Sequence, residues 1–250
     1  CDMTDVSTIE AFIRDHSVDV LINCAAYNAV DDAEDNPDLA YSINADSVKQ
    51  IAEVCDRMGC RMVHYSSDYV FDGKKQDLYT ESDATNPINV YGKSKLAGEQ
   101  AVLETSQDFL VFRLSWVIGR GTQNFLHKFG NWAENNRVLK ISADEVSIPT
   151  FTFDIAELTL QSLQKGLKGL YHMTSSGYAS RYELARFYAE QVTLKNVIVP
   201  VPMSCFQTRA SRPLFSVMSN RKLSQALGVT IPSWKDSLKR FISPSPPSRS

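Results

Sequence analysis

The sequence is sparing with glycine: 11 in 250 residues, and none before Gly59. No Gly-x-x-Gly-x-x-Gly occurs anywhere in it, and Gly119-Arg-Gly121 is too late and too short to substitute. That excludes the turn in which a pyrophosphate reaches a helix N-terminus with no side chain in the way. Charge of one sign is also lacking. The formal net charge is −3 and the pI near 5.8, so nothing draws the chain generally to nucleic acid or to an anionic membrane surface. No apolar run approaches the ~20 residues of a membrane span. The five cysteines, Cys1, Cys24, Cys55, Cys60 and Cys205, are scattered without a Cys-x-x-Cys pair. They read as unpaired thiols of a reducing compartment, the cytoplasm. His16, His64, His127 and His172 are equally dispersed, with no carboxylates at ligand spacing, so no catalytic metal is expected.

What is present can build a core. With 43% hydrophobic and 22% charged residues, 250 residues fill one large domain or two small ones. Apolar runs at 19–24, 61–66 and 109–115 have the length and composition of buried parallel strands. Helical spacing of Leu39, Ile43, Val48, Ile51 and Val54 predicts a helix from Pro37 to Met58, and a second helix is expected from about Val90 to Glu104. Strands separated by such helices imply right-handed crossovers, hence an α/β fold with a doubly wound parallel sheet. After Gly121 the rhythm loosens. Helices are expected near 124–135, 153–164, 181–192, 221–227 and 234–242, strands at 138–142 and 169–174, and an apolar stretch runs from Val197 to Pro202. The Pro/Ser-rich tail from Ser243 to Ser250 has the composition of a disordered end.

One pair on the second helix has a chemistry. Tyr91 and Lys95, four apart, share a helix face about 6 Å from each other. A free phenol titrates near 10. A fixed ammonium beside it is expected to favour the ionised form and lower that value, making Tyr91 an acid–base group near neutral pH. Spacing alone favours an ordinary amphipathic surface; the setting decides. Ser66 and Ser67 end an apolar strand ahead of the helix, so a hydroxyl at a strand end is followed by Tyr-x-x-x-Lys.

That order resembles the extended short-chain dehydrogenase/reductases, and within them most closely the dTDP-4-dehydrorhamnose reductase family. The resemblance runs through Asn23-Cys-Ala-Ala-Tyr27-Asn-Ala-Val-Asp31, Glu34-x-x-Pro37, Ser67-Asp-Tyr-Val-Phe-Asp-Gly73 and Pro87-Ile-Asn-Val-Tyr-Gly-Lys-Ser-Lys-Leu-Ala-Gly-Glu99. It continues through Arg113-Leu-Ser-Trp116, Asn124-Phe125, Pro149-Thr150, Asp154-Ile-Ala156, Gly169-Leu-Tyr-His172 and Ala210-Ser-Arg-Pro213. It implies reduction of the 4-keto group of a dTDP-sugar with NADPH or NADH. Tyr91 would be the proton donor, Lys95 its partner and a contact of the nicotinamide ribose, and Ser67 the hydroxyl that orients the ketone oxygen. Ala25 and Ala26 fit small residues that let a cofactor approach a strand end, and Tyr27 either covers it or packs. For the nucleotide-sugar substrate the resemblance points to Asp68, Trp116, Asn124 and Arg212. Asp68 reads equally as a turn residue, and Trp116 as a core tryptophan. Arg212 suits a phosphate because a guanidinium matches it bidentately.

The resemblance also implies a division of the chain. Residues 1–122, joined by 150–175, would form a Rossmann-like cofactor domain, and 123–149 with 176–242 a smaller substrate-binding region. Laid against the family, Cys1 to Asp5 falls after the second strand, so the first strand, Gly-rich turn, first helix and second strand are expected to be missing by truncation. Cofactor binding by these 250 residues alone would then be weak. Glu145 and Ser147 stand where the family usually has Gln and Gly, and Arg209 where Pro is usual. Some members dimerise through acidic residues and a divalent cation, which leaves a homodimer open although the tail offers no matching carboxylate. Two other readings stay open: a non-catalytic interaction protein of the same fold, like the regulatory subunit of methionine adenosyltransferase, and a nucleotide-sugar epimerase or dehydratase.

Overall fold

The computed structural model describes residues 2–243. Its elements run α1 (Val6–His16), β1 (Val20–Asn23), α2 (Val30–Asp35), α3 (Pro37–Tyr41), α4 (Ser47–Arg57), β2 (Arg61–Ser67), α5 (Val90–Thr105), β3 (Leu110–Leu114) and β4 (Val117–Ile118). They continue with α6 (Phe125–Asn135), β5 (Val138–Ser142), β6 (Val146–Ser147), β7 (Thr150–Phe151), α7 (Thr152–Gln164), β8 (Gly169–His172), β9 (Ala179–Ser180), α8 (Arg181–Gln191), β10 (Val197–Val201), α9 (Arg221–Leu227) and α10 (Trp234–Ile242). Four strands in the order β1-β2-β3-β8, all parallel, form the main sheet. Alternation along them feeds two cores. Met62 and Val111 join Ile13, Val48, Ile51 and Val102 from α1, α4 and α5 on one face. Val63, Leu110 and Phe112 meet Ile155, Leu158 and Leu223 from α7 and α9 on the other.

Beyond this sheet the strands form two-stranded pairs. β5 pairs in parallel with β10, so the apolar stretch at Val197 is a strand, and β6 pairs antiparallel with β9. α6 and α8 pack on this part through Phe129, Leu139, Ile141 and Ala185. The expected tail lies, from residue 244 on, outside the described residues, as does Cys1.

The structure differs from sequence expectation in the helix after Pro37. It is interrupted by a π turn at Ser42–Asp46, where Ser47 Oγ donates to the Ser42 carbonyl at 2.7 Å. Such a turn inserts a residue into the helical period and re-aims the side chains around it. Here it turns Asn44 inward: its amide accepts from Tyr27 N (2.8 Å) and donates to Tyr27 O (3.1 Å) and Ser94 Oγ (3.0 Å). The loop after β1 is thereby tied to α5. Two glycines let α5 come close enough. A Cβ on Gly92 would lie 2.2 Å from the Tyr69 carbonyl oxygen, and one on Gly98 would lie 2.0 Å from that of Asn44. Both neighbours are backbone, so a methyl group at either place forces the helix away from the site.

Candidate active site

β2 delivers Ser67 and α5 delivers Tyr91 and Lys95 to the carboxyl end of the main sheet. Ser67 is buried and caps a 3₁₀ turn at Asp68–Val70, its hydroxyl accepting from Tyr69 N at 3.2 Å. α5 starts where it does because Asn89 caps it, accepting from Gly92 N at 2.7 Å, while Glu34 from α2 accepts from Val90 N at 2.8 Å. The Asn89 amide also donates to Ser211 O at 2.8 Å, which brings the 210–213 segment to the helix N-terminus. Tyr91, on the first turn, has its hydroxyl 3.5 Å from Asn28 Oδ1 and its ring edge-on to Tyr69 at 5.5 Å.

The electrostatics correct the expectation for this pair. Burial pushes the Tyr91 phenol up to about 12; the Ser67 hydroxyl opposes the rise and the Asp68 charge adds to it. Lys95 does not lower it, because the ammonium, 3% exposed, donates to the Tyr65 carbonyl at 2.7 Å. Burial draws Lys95 itself down to about 8, against the pull of Glu99 one turn on. Glu99 is in turn gripped by Arg113 in a buried, two-pronged ion pair of 2.5 and 2.9 Å. The same guanidinium lies 5.0 Å from the Phe71 ring and 3.4 Å from His172 Nε2. His64, fully buried beside Lys95, is held well below its ordinary value by burial first and that ammonium second, so it is neutral.

Asp68 opens the 3₁₀ turn, as its turn reading implied, but its carboxylate is engaged inside the protein. One oxygen accepts from Ser216 Oγ (2.6 Å) and Ser147 Oγ (2.9 Å), the other from Ser67 Oγ (3.2 Å). Ser147 extends the network to Ser115 Oγ at 2.7 Å. Burial raises Asp68 from 3.8 to about 6, with the bonds from Ser216, Ser147 and Ser67 opposing. A carboxyl that holds its proton more tightly folded than unfolded makes stability fall as pH rises between those two values. At 1.36 kcal/mol per unit the fall is about 3 kcal/mol. Urea unfolding of wild type and Asp68→Asn from pH 4 to 7 should show that decline only in wild type; parallel profiles would contradict the shift.

A cleft of about 420 Å³ is lined by Tyr69, Phe125, Lys128, Glu145, Arg181 and Arg212 among others. Arg212 is mostly buried and pairs with Asp31 at 2.7 Å. Arg209 pairs with Asp32 and Asp35, so α2 is tied to the 209–213 segment along one face. Trp116, half-buried, has φ +37°, a conformation a bulky residue holds only when its surroundings fix it. Asn124 is less free than its expected role required: it caps α6 by accepting from His127 N at 3.1 Å and donates to Gly119 O and Gly121 O. Ala25, Ala26 and Tyr27 form the loop leaving β1, with Ala25 N donating to Asn23 Oδ1 at 3.0 Å.

Several participants had no sequence signal beyond position. Asn44 is recruited by the π turn, Ser216 by a loop from the far end of the chain, and Arg181 follows a capping serine like any first-turn residue. Glu99 and Arg113 lie inside recognised motifs, but their pairing across helix and strand is not visible in the order of residues.

Comparison with known proteins agrees with this geometry. Residues 1–245 match the family described as RmlD substrate binding domain. A dTDP-4-dehydrorhamnose reductase of Burkholderia thailandensis is 38% identical, over 94% of this chain and 84% of its own. Among solved structures, a dTDP-4-dehydrorhamnose reductase from Clostridium acetobutylicum superposes with a TM-score of 0.93 at 35% identity, covering 96% of this chain and 86% of that one. The Bacillus anthracis enzyme of the same name, solved with NADP, gives 0.92 at 32% identity, covering 96% and 85%. Matched along nearly its whole length in both sequence and structure, the chain belongs to the dTDP-4-dehydrorhamnose reductase family.

Proposed function

We propose that the protein reduces the 4-keto group of dTDP-4-dehydro-L-rhamnose to give dTDP-L-rhamnose, with NADPH or NADH as reductant. The observation that carries this reading is the convergence of Ser67, Tyr91 and Lys95 at the sheet's carboxyl end, beside a cleft with basic side chains, in a chain whose relatives are named for this reaction. When bound, a nicotinamide nucleotide would supply a hydride to the carbonyl carbon. Tyr91 gives its proton to the ketone oxygen as that oxygen becomes an alkoxide. An alkoxide is a much stronger base than a phenolate, so a phenol near 12 donates downhill. The raised value therefore suits reduction. Ser67 hydrogen-bonds the same oxygen, Asp68 with its serines holds Ser67 in place, and the Lys95 ammonium, fixed by the Tyr65 carbonyl, is placed to hydrogen-bond the nicotinamide ribose.

The residues present fit the nicotinamide end of the cofactor. Lys95 is buried next to Tyr91, Ser66 Oγ is buried without a partner at the end of β2, and the small residues Ala25 and Ala26 follow β1. They do not supply the pyrophosphate end, since the first glycine, Gly59, ends the turn after α4. In this reading residues 1–122 and 150–175 serve the cofactor, and 123–149 with 176–242 the nucleotide sugar. Trp116 faces the sugar and Arg212 a phosphate. Among the described residues no helix is long and apolar enough to cross a membrane, and Cys24, Cys55, Cys60 and Cys205 are unpaired thiols, which suits a cytoplasmic enzyme. The test is turnover of dTDP-4-dehydro-L-rhamnose with NADPH by the chain fused behind a Gly-rich strand–helix–strand segment. Formation of dTDP-L-rhamnose is expected; no consumption of NADPH would reject the reading.

A further inference from the structure

α6 lays one of its faces along the cleft. Phe125, Lys128 and Trp132 all line it, and steps of three and four residues put them on one stripe of that helix. The Phe125 end of the stripe is the catalytic one. There the Arg181 guanidinium lies 5.2 Å from the Phe125 ring, its charge is felt by Asp68 and Tyr69, and Tyr69 meets the Tyr91 ring edge-on. Trp132 follows, its ring 6.3 Å beyond that of Phe125. A nucleotide sugar has a matching order: the sugar, then two phosphates, then the base.

The cations of the cleft are not equivalent. Arg181 is balanced by Glu145 at 3.4 Å and Arg212 by Asp31 at 2.7 Å. Lys128 on the stripe and Lys140 on β5 line the same cleft, both exposed and, among the described residues, without an acidic partner. Two unbalanced ammonium groups in one cleft suit a ligand group with two or more negative charges. Arg212 can touch a phosphate too, but Asp31 already offsets its charge.

Trp132 is 45% exposed and stands outside the core clusters, so the fold does not need its indole for packing. Phe125 meets it at 77°, an arrangement that covers one indole face at most. Phe206, 39% exposed, adds a second apolar ring to the cleft lining. An indole left open beside unbalanced cations is a surface on which a base can stack.

We propose that this face of α6 holds the nucleotide half of the substrate, with Trp132 stacking on the base and Lys128 and Lys140 meeting the diphosphate. The proposal rests on the reading of the site as one for dTDP-sugars.

Titrating the 250-residue chain with dTDP and with inorganic pyrophosphate, by calorimetry and tryptophan fluorescence, separates base from diphosphate. dTDP is expected to bind wild type and to quench its fluorescence. Trp132→Leu should weaken dTDP about tenfold, the value of one base–aromatic stack, leave pyrophosphate within about twofold, and remove the quench. Lys128→Met combined with Lys140→Met should weaken both probes about tenfold and flatten the salt dependence of dTDP binding. All three side chains are exposed, so the variants should keep the wild-type Tm. Wild-type dTDP affinity in Trp132→Leu, or equal weakening of both probes by it, would overturn the proposal. So would unchanged affinity and salt dependence in the double lysine variant. A wild-type chain that does not bind dTDP would instead reject the dTDP-sugar reading itself, and this inference with it.

Discussion

Tyr91→Phe will bind dTDP-L-rhamnose within a few-fold of wild type yet reduce the ketone ~10²–10⁴ times more slowly. The phenol ring and its edge-on contact with Tyr69 survive the change, so packing is kept. What goes is the proton, and positioned proton transfer contributes roughly 10²–10⁴ in rate. The raised pKa of about 12 adds a directional signature. Reduction uses the protonated phenol, which is present throughout the neutral range, so the Tyr91 step gives a flat profile from pH 6 to 9. Oxidation of dTDP-L-rhamnose uses the phenolate, so its rate should climb about tenfold per pH unit over the same range. Stopped-flow rates in both directions read this. Full activity in Tyr91→Phe, or a reverse rate indifferent to pH, would contradict the assignment.

The other large effect is structural at first sight. Glu99→Ala leaves the Arg113 guanidinium in a site only 4% exposed, with His172 and the Phe71 ring as its remaining neighbours. Breaking a buried ion pair by removing one partner costs about 3–5 kcal/mol. For a chain of this size that lowers Tm by about 10 °C, measurable by thermal unfolding. Replacing both partners, Glu99→Leu with Arg113→Met, should restore most of the stability because neither charge is then stranded. Activity should not return with it. Glu99 is the group that holds Lys95 up against burial, and without it the ammonium titrates below about 8 and loses charge in the neutral range. A double variant that is folded and fully active at pH 7 would show that the pair acts on stability alone.

The legibility of this protein divides along one line: what depends on local order could be read, and what depends on contacts between distant segments could not. The three strands at 19–24, 61–66 and 109–115 announce themselves as apolar runs, and the last two helices, 221–227 and 234–242, were expected at the bounds they have. Tyr91, Lys95 and Ser67 were legible because their chemistry sits in adjacent elements of one crossover. α1, by contrast, has no such signal, and the π turn at Ser42–Asp46 interrupts a segment whose spacing reads as uninterrupted helix. The Tyr91 pKa is hidden from the sequence for a related reason. Spacing on a helix places Lys95 near the phenol, but burial and the Tyr65 carbonyl decide what the ammonium does there. Ser147 and Arg209, unusual for the family by sequence, acquire partners only in three dimensions: Ser147 joins the Asp68 network, and Arg209 pairs with α2.

The central claim is that the Ser67–Tyr91–Lys95 site completes a hydride reduction at C4 of a dTDP-linked 4-ketosugar. The most direct measurement supplies dTDP-4-dehydro-L-rhamnose and NADPH deuterated at the nicotinamide C4 to the chain fused behind a Gly-rich segment, and reads the product by NMR. The account predicts dTDP-L-rhamnose carrying deuterium at C4, formed at least about a hundredfold more slowly by the Tyr91→Phe form. Intact ketone with unconsumed NADPH, or a product without deuterium at that carbon, would contradict it.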